Sequence, residues 1–394
     1  QANSRFSALT ATAGKLTVDN EGSLTVSGAS SAAGPVVMVS GGAATLGNVS
    51  SRLQGADLSS GGSMSTGRVS APGAVSMSAQ GQLTTGAVSS TGAHVALSAH
   101  NGGITYGSVT AGGLASLNAT RDDDVAVPTH IAGGAITARA VDPLAAIQVS
   151  AEHGNLVLGN LSATTGGVAL SADSGALSAG SVRAVSDITA SAAQDVTLGA
   201  LTTSAGAVEV NSLTGSVTLT SATARTGLDV QAGAALNLGN FSVSAGGATL
   251  KAATPLSLPR GSAYGKIDIT SLGVATLGSL TSTANAIHAT SSASGLSFGT
   301  LRAANGIRLR ASTAMGTGTQ PSFGLVGTTL DAGVGGVDAQ ATQGDIQIGS
   351  VSARSNSVLT AQAGNLRVNT IRLLTPAQLA ATAQAGTRAL PAGY

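Results

Sequence analysis

The side chains that could do chemistry are few and widely spaced. Five histidines, His94, His100, His130, His153 and His288, are the available general bases, and the only glutamates are Glu21, Glu152 and Glu209. Nucleophilic catalysis needs a base held beside a nucleophile and a third group that orients the base. His94 and His100 fall at outward or turn positions of one sequence repeat, so they read as solvated surface residues. No serine lies in G-x-S-x-G. The chain has no Cys, which removes disulfides, thiolate metal sites and cysteine nucleophiles. Polysaccharide-cleaving sites need paired carboxylates, or an Arg/Lys base, beside aromatic sugar platforms. With three Glu and no Trp, a carbohydrate-active enzyme is the minor alternative. The expectation is a chain that is not an enzyme and needs no cofactor and no metal. Gly333-Val-Gly335-Gly336-Val-Asp338 resembles a calcium-binding β-roll repeat once, with no tandem copy. Asp122-Asp123-Asp124 reads as a solvated loop tip.

Charge offers a more specific lead. Arginine outnumbers lysine 15 to 3. Residues 1–250 hold 8 basic against 13 acidic side chains, whereas residues 251–394 hold 10 against 4. Arg302, Arg308, Arg310, Arg354, Arg367 and Arg372 fall within about four repeats. Guanidinium forks suit sulfate and phosphate groups, so a sulfated, heparin-like glycan is the candidate ligand. The competing reading is that outward arginines confer solubility and discourage lateral sheet pairing. A net charge of +1 argues against a nucleic-acid partner. No stretch reaches the ~20 apolar residues of a membrane span. Gln1-Ala2-Asn3-Ser4-Arg5 lacks the basic and apolar segments of a signal peptide, which points to a processed chain or an internal fragment. Asn48, Asn118, Asn160 and Asn240 lie in Asn-x-Ser/Thr. Three of them, Asn48, Asn160 and Asn240, share one repeat position and read as stacked turn residues, with glycosylation as the sharper alternative.

The elements that position these residues follow from composition and period. The 394 residues include 55 Gly but only 3 Tyr and 4 Phe, and charged residues are 9 %. Single cores stop growing at about 250–300 residues, and these side chains are too small to fill a thick one. Disorder is also excluded, because the hydrophobic fraction is 42 % and net charge is near zero. One coil runs Val168-Ala-Leu170-Ser-Ala172-Asp-Ser-Gly175-Ala-Leu177-Ser-Ala179-Gly180-Ser-Val182, and the template is V-x-L-x-A-x-x-G-x-L-x-x-G-x-V-x-A. Its second glycine recurs at Gly47, Gly67, Gly86, Gly107, Gly159, Gly180, Gly199, Gly239, Gly278, Gly299 and Gly349. Close neighbours are 19, 20 or 21 residues apart. Apolar residues alternate with small polar ones, which is the period of a strand with one buried face.

The spacing predicts an all-β parallel β-helix (solenoid) of about 20 residues per coil, with three short strands per coil. Residues 1–374 read as a single continuous β-helix of about 18 coils. One internal ladder holds Tyr106, Leu158, Leu198, Leu238, Leu277, Phe298 and Ile348. A second holds Val49, Val69, Val88, Val109, Leu161, Val182, Leu201, Phe241, Leu280, Leu301 and Val351. Glycines are expected where the chain turns through positive φ or packs tightly, and Ser and Thr are expected outside. Excursions are expected near 119–133 and 313–330, and Thr254-Pro255 and Leu258-Pro259-Arg260-Gly261 should interrupt the ladder. Thr375 followed by Pro376 is a helix start, so 375–394 reads as a short helix or flexible tail.

On this repeat, the chain resembles the shaft of filamentous haemagglutinin, a family of large exoproteins secreted by the two-partner route. The resemblance covers roughly Ala13 to Leu374, although the Asn-Pro-Asn type motifs of the family's secretion domain are absent. It implies a right-handed three-faced coil and passage through an outer-membrane transporter. It also implies a secreted or cell-surface location, and adhesion to host-cell receptors or glycans by a monomeric rod. A contact-dependent growth-inhibition stalk and a self-translocating autotransporter passenger share these features.

Overall fold

The computed structural model describes residues 3–122, 127–140, 145–312, 323–373 and 379–383. Among them there is no helix, and the strands pair in parallel. Each coil opens with a strand of five or more residues, such as Val95–His100, which forms a broad face. A turn leads to Ile104–Ala111, where Ile104, Tyr106, Val109 and Ala111 point inward. The alternation slips by one residue at Gly107-Ser108, where two neighbours face outward together. That slip is a corner, and it divides the segment into two narrow faces. In other coils the same segment is two separate strands, as in Leu156–Leu158 and Leu161–Ala163.

The chain divides into two compact units, Gln1–Gly206 and Ala207–Tyr394. Each has nine strands on its broad face and the same plan, giving about 18 coils of about 20 residues. In the first unit Val75, Val95, Ala115, Ile147, Val168 and Ile188 stack in register. In the second Leu256, Ala275, Leu296, Leu325, Ile346 and Leu366 do the same. Both ladders read from the repeat are buried throughout. Each buried aliphatic side chain contributes about 1.5–3 kcal/mol relative to exposure.

The corner glycines have a different cause from the expected one. Among the described residues only Asn101, Gly14, Gly336 and Gly344 have positive φ. None of the marker glycines has positive φ, and each sits directly over the backbone of the previous coil. A Cβ at Gly199 would lie 2.9 Å from the carbonyl oxygen of Gly180. Close stacking, rather than dihedral freedom, therefore selects glycine. The gap from Gly107 to Gly159 contains a further member, Gly134, which packs on Gly107 and supports Gly159.

A second use of glycine accommodates the aromatics. Tyr106, Phe241 and Phe298 project from their coils over Gly133, Gly261 and Gly327 of the next coil. A Cβ at any of these glycines would fall inside 3.0 Å of ring carbons. Tyr106 donates its hydroxyl to Gly134 O at 3.2 Å, and burial raises its pKa above the ordinary phenol value.

Several expectations are corrected. Ser and Thr are not confined to the outside. Ser40, Ser60, Ser90, Ser271, Ser282 and Ser291 are buried at the inward end of a strand. Ser90 Oγ donates to Gly73 O at 2.8 Å, and Ser291 Oγ donates to Gly273 O at 2.8 Å. A serine thus replaces alanine where a turn carbonyl of the previous coil needs a donor. The segment around Pro259 does not interrupt the ladder: Leu256–Ala263 is one strand with Leu258 buried. Pro259 takes the corner position, between the paired residues Leu258 and Arg260, so its missing N–H costs no bond in the register.

The first excursion is narrower than 119–133, because Ala115–Thr120 and Ile131–Gly133 are strands on either side of it. Its returning leg is tucked in, with Thr129 fully buried and its Oγ1 accepting from His153 N at 2.9 Å. The second ends at a strand, Phe323–Ala332, and most of it, like Asp123 and Asp124, lies outside the described residues. The expected C-terminal helix is replaced by a strand, Leu379–Ala383, which pairs with Ser357–Ala361. Stacking on an existing sheet edge overrides the local capping signal there; Thr375, Pro376 and 384–394 lie outside the described residues.

Candidate functional site

The six arginines do not form one patch. Arg302 is the outward middle residue of its narrow-face strand segment, Leu301 to Ala303. From coil to coil its file runs Thr281, Arg302, Asp331, Ser352, Arg372. Arg302 Nε approaches Asp331 Oδ2 at 2.9 Å. Arg354 follows in the turn after Ser352. Arg308 and Arg310 lie on the broad face, where Asp338 of the next coil binds both, with Arg308 Nε at 3.5 Å from Oδ2 and Arg310 Nη1 at 3.0 Å from Oδ1. Arg367 is outward on the remaining narrow face, stacked on Gln347. Arg302, Arg354 and Arg372 therefore share a face, while Arg308 and Arg310 share the Asp338 carboxylate on another. Asp338, the carboxylate of the calcium-like glycine motif, is the group that binds them both.

A groove of about 520 Å³ opens on the Arg302 face, lined by Thr281, Thr283, Arg302, Asp331, Ser352 and Arg354. The equivalent corner in the first unit holds a groove of about 490 Å³, lined by Thr91, Thr110, Thr137, Arg139, Thr164 and Thr165. Both form where outward third-strand residues meet the turn that follows.

Broad-face charge in the second unit also surrounds His288. It stacks between Asp268 and Arg308, with Lys266 Nζ on Asp268 Oδ2 at 2.6 Å. Partial burial, then the nearby Lys266 and Arg308, lower its pKa, with Asp268 opposing them.

The histidines of the first unit are less idle than their spacing suggests. His94 Nδ1 accepts from Leu114 N at 2.9 Å, and His130 Nδ1 accepts from Asn155 N at 2.8 Å. Since a backbone N–H only donates, both rings hold their proton on Nε2. His100 lies between Thr120 Oγ1, at 3.0 Å from Nδ1, and Asp122 Oδ1, at 3.1 Å from Nε2. That is a hydroxyl–imidazole–carboxylate row, brought together by stacking residues 20 and 22 apart. It lies in neither groove. Asp122 also accepts from Asn101 Nδ2 at 2.9 Å and donates its own N–H to Asn101 Oδ1 at 2.7 Å. The Asn101 bond, aided by His100, holds the Asp122 carboxyl below its ordinary pKa. The row clips Asp122 to the preceding coil. Coil-to-coil pairing is the signal that could have found it, because His100 stacks on Thr120.

Two of the repeat-position asparagines, Asn48 and Asn160, bridge coils as expected of stacked turn residues. Asn48 Oδ1 accepts from Arg68 N at 2.8 Å, and Asn160 Oδ1 accepts from Ser181 N at 2.9 Å. Among the described residues no helix is long and apolar enough to cross a membrane. Compared with known proteins, the chain matches no family model, no curated protein and no solved structure.

Proposed function

We propose that the chain is a repeat-shaft segment of a secreted or surface-exposed bacterial adhesin of the filamentous haemagglutinin type, which reaches the surface through an outer-membrane transporter. It attaches to host cells through sulfated, heparin-like glycans. The observation that carries this reading is the shared face of Arg302, Arg354 and Arg372 beside a groove. Guanidinium groups there can fork onto sulfate oxygens. The solenoid supports the export step, since each coil completes its core by stacking on its neighbour and needs no distant partner strand. The reading assigns the chain no catalysis of its own.

Salt-gradient elution of the full chain from immobilised heparin tests the ligand. Replacing Arg302, Arg354 and Arg372 together by Ala should advance elution strongly. Replacing Arg308 and Arg310 should change it less, because both lie on another face and share the Asp338 carboxylate. Elution of the triple variant with the parent would overturn the proposal.

A further inference from the structure

The groove of the first unit carries a separate assignment. Its walls are the outward Thr110 and Thr137, which stack in register, and the turn residues Thr91, Thr164 and Thr165. Arg139, in the turn after Ile136–Ala138, stands at its rim. Two of the hydroxyls are committed as donors: Thr164 Oγ1 donates to Ala138 O at 3.4 Å, and Thr165 Oγ1 donates to Ala140 O. These bonds fix the turn that carries Arg139 and leave both oxygens free to accept. The hydroxyls of Thr91, Thr110 and Thr137 and the guanidinium of Arg139 have no partner among the described residues. In the second-unit groove, by contrast, Arg302 is bound by Asp331.

We propose that this groove binds an acidic saccharide bearing a carboxylate, such as a uronic acid chain. Arg139 would take the carboxylate bidentately. Stacked hydroxyls about 4.8 Å apart, on the scale of one sugar ring, would take the ring hydroxyls as donors and acceptors. Among the described residues the lining offers no large apolar side chain to anchor a peptide. Among the described residues no carboxylate pairs with Arg139, and one guanidinium matches a single negative charge better than a densely sulfated chain. The assignment is independent of the heparin reading, which rests on other residues in the other unit.

The test uses the full chain with tetragalacturonate as the probe and maltotetraose as the neutral control, read by ligand-observed saturation-transfer NMR and calorimetry. The parent should bind tetragalacturonate and not maltotetraose. Arg139→Ala should weaken binding at least about tenfold, as expected for a lost charge-assisted pair, and Arg139→Lys should fall between. Thr137→Val, which keeps shape and removes the hydroxyl, should weaken it about threefold. Circular dichroism and melting should stay unchanged, since the Arg139 side chain is exposed. Absence of binding by the parent would overturn the proposal. So would equal binding of both sugars, or parental affinity in Arg139→Ala. If Arg139→Ala were to misfold, Arg139→Lys and Thr137→Val carry the same decision.

Discussion

The broad faces of the two units cover cores of the same make-up and differ in what they show to solvent. In the first, the outward files run through Ser59, Ser78, Ser98, Asn118, Ser150, Ser171 and Ser191, and only Asp19 and Asp57 are charged. In the second, the same positions hold Glu209, Asp229, Lys251, Asp268, Arg308, Arg310 and Asp338. Beneath both lie the same ranks of Val, Leu, Ile and Ala. Gln1–Gly206 has a net charge of −4 and Ala207–Tyr394 of +5. Outward positions contribute little to the stacking, so the coil tolerates either kind of surface. Ligand chemistry can therefore differ between units without any change of fold.

If the cores are equivalent, equivalent core lesions should cost the same in each unit. Phe298→Ala and Tyr106→Ala each leave a cavity over a glycine, and each should cost about 3–5 kcal/mol. The measurement is the opening free energy of neighbouring strands by native-state hydrogen exchange. A loss confined to one unit would break the equivalence. Next in size, Ser90→Ala strands the Gly73 carbonyl, at about 1–3 kcal/mol, and Ser291→Ala should cost less, because Ser271 Oγ also donates to Gly273 O at 3.0 Å. Threonine at either position should restore only part of this, since its extra methyl must fit the narrow interior.

Charge effects should be smaller and confined to the second unit. Asp338→Asn should cost under about 1 kcal/mol, because the pairs it breaks are partly exposed. It should also delay elution from heparin by freeing Arg308 and Arg310, and unchanged elution would show that this face meets no sulfate. Acidification gives the smallest difference. Folded His288 releases its proton more readily than the unfolded chain does, so the unfolded state gains protons first as pH falls through the ordinary imidazole value of 6.5. The second unit should lose stability in that window and stop losing it once folded His288 is protonated too. His288→Asn should flatten the response, as read by exchange rates of its neighbours between pH 7.5 and 5. The Asp122 clip of the first unit should persist there. It is lost only as pH falls below the ordinary carboxylate value of 3.8 and through the lowered one. Early opening at Asn101 would contradict this.

The ladders were legible because stacking turns a sequence period directly into a spatial column. Val88, Val109 and Leu161 could be placed inside from spacing alone. Features that depend on what lies one coil away were not legible in a linear pattern. Buried Ser90 looks like any outward serine until the Gly73 carbonyl is set beside it. Pro259 looks like a breaker until it is seen at a corner. The arginines were legible as a charge bias, but the pairing of Arg302 with Asp331 and of Arg310 with Asp338, 29 and 28 residues away, was not. Leu379–Ala383 was misread because Thr375-Pro376 speaks only of local capping, whereas a waiting sheet edge supplies the stronger preference.

The aromatic-over-glycine stacks bear on how such a chain can have grown. A coil built around Phe298 cannot be copied onto a neighbour with an ordinary side chain at the Gly327 position, since the newcomer would collide with the ring. Tandem duplication or unequal crossing-over must carry the aromatic coil and its glycine coil together, or lose the ring first. At these three places the heritable unit is a pair of coils, and breakpoints between its members should be selected against.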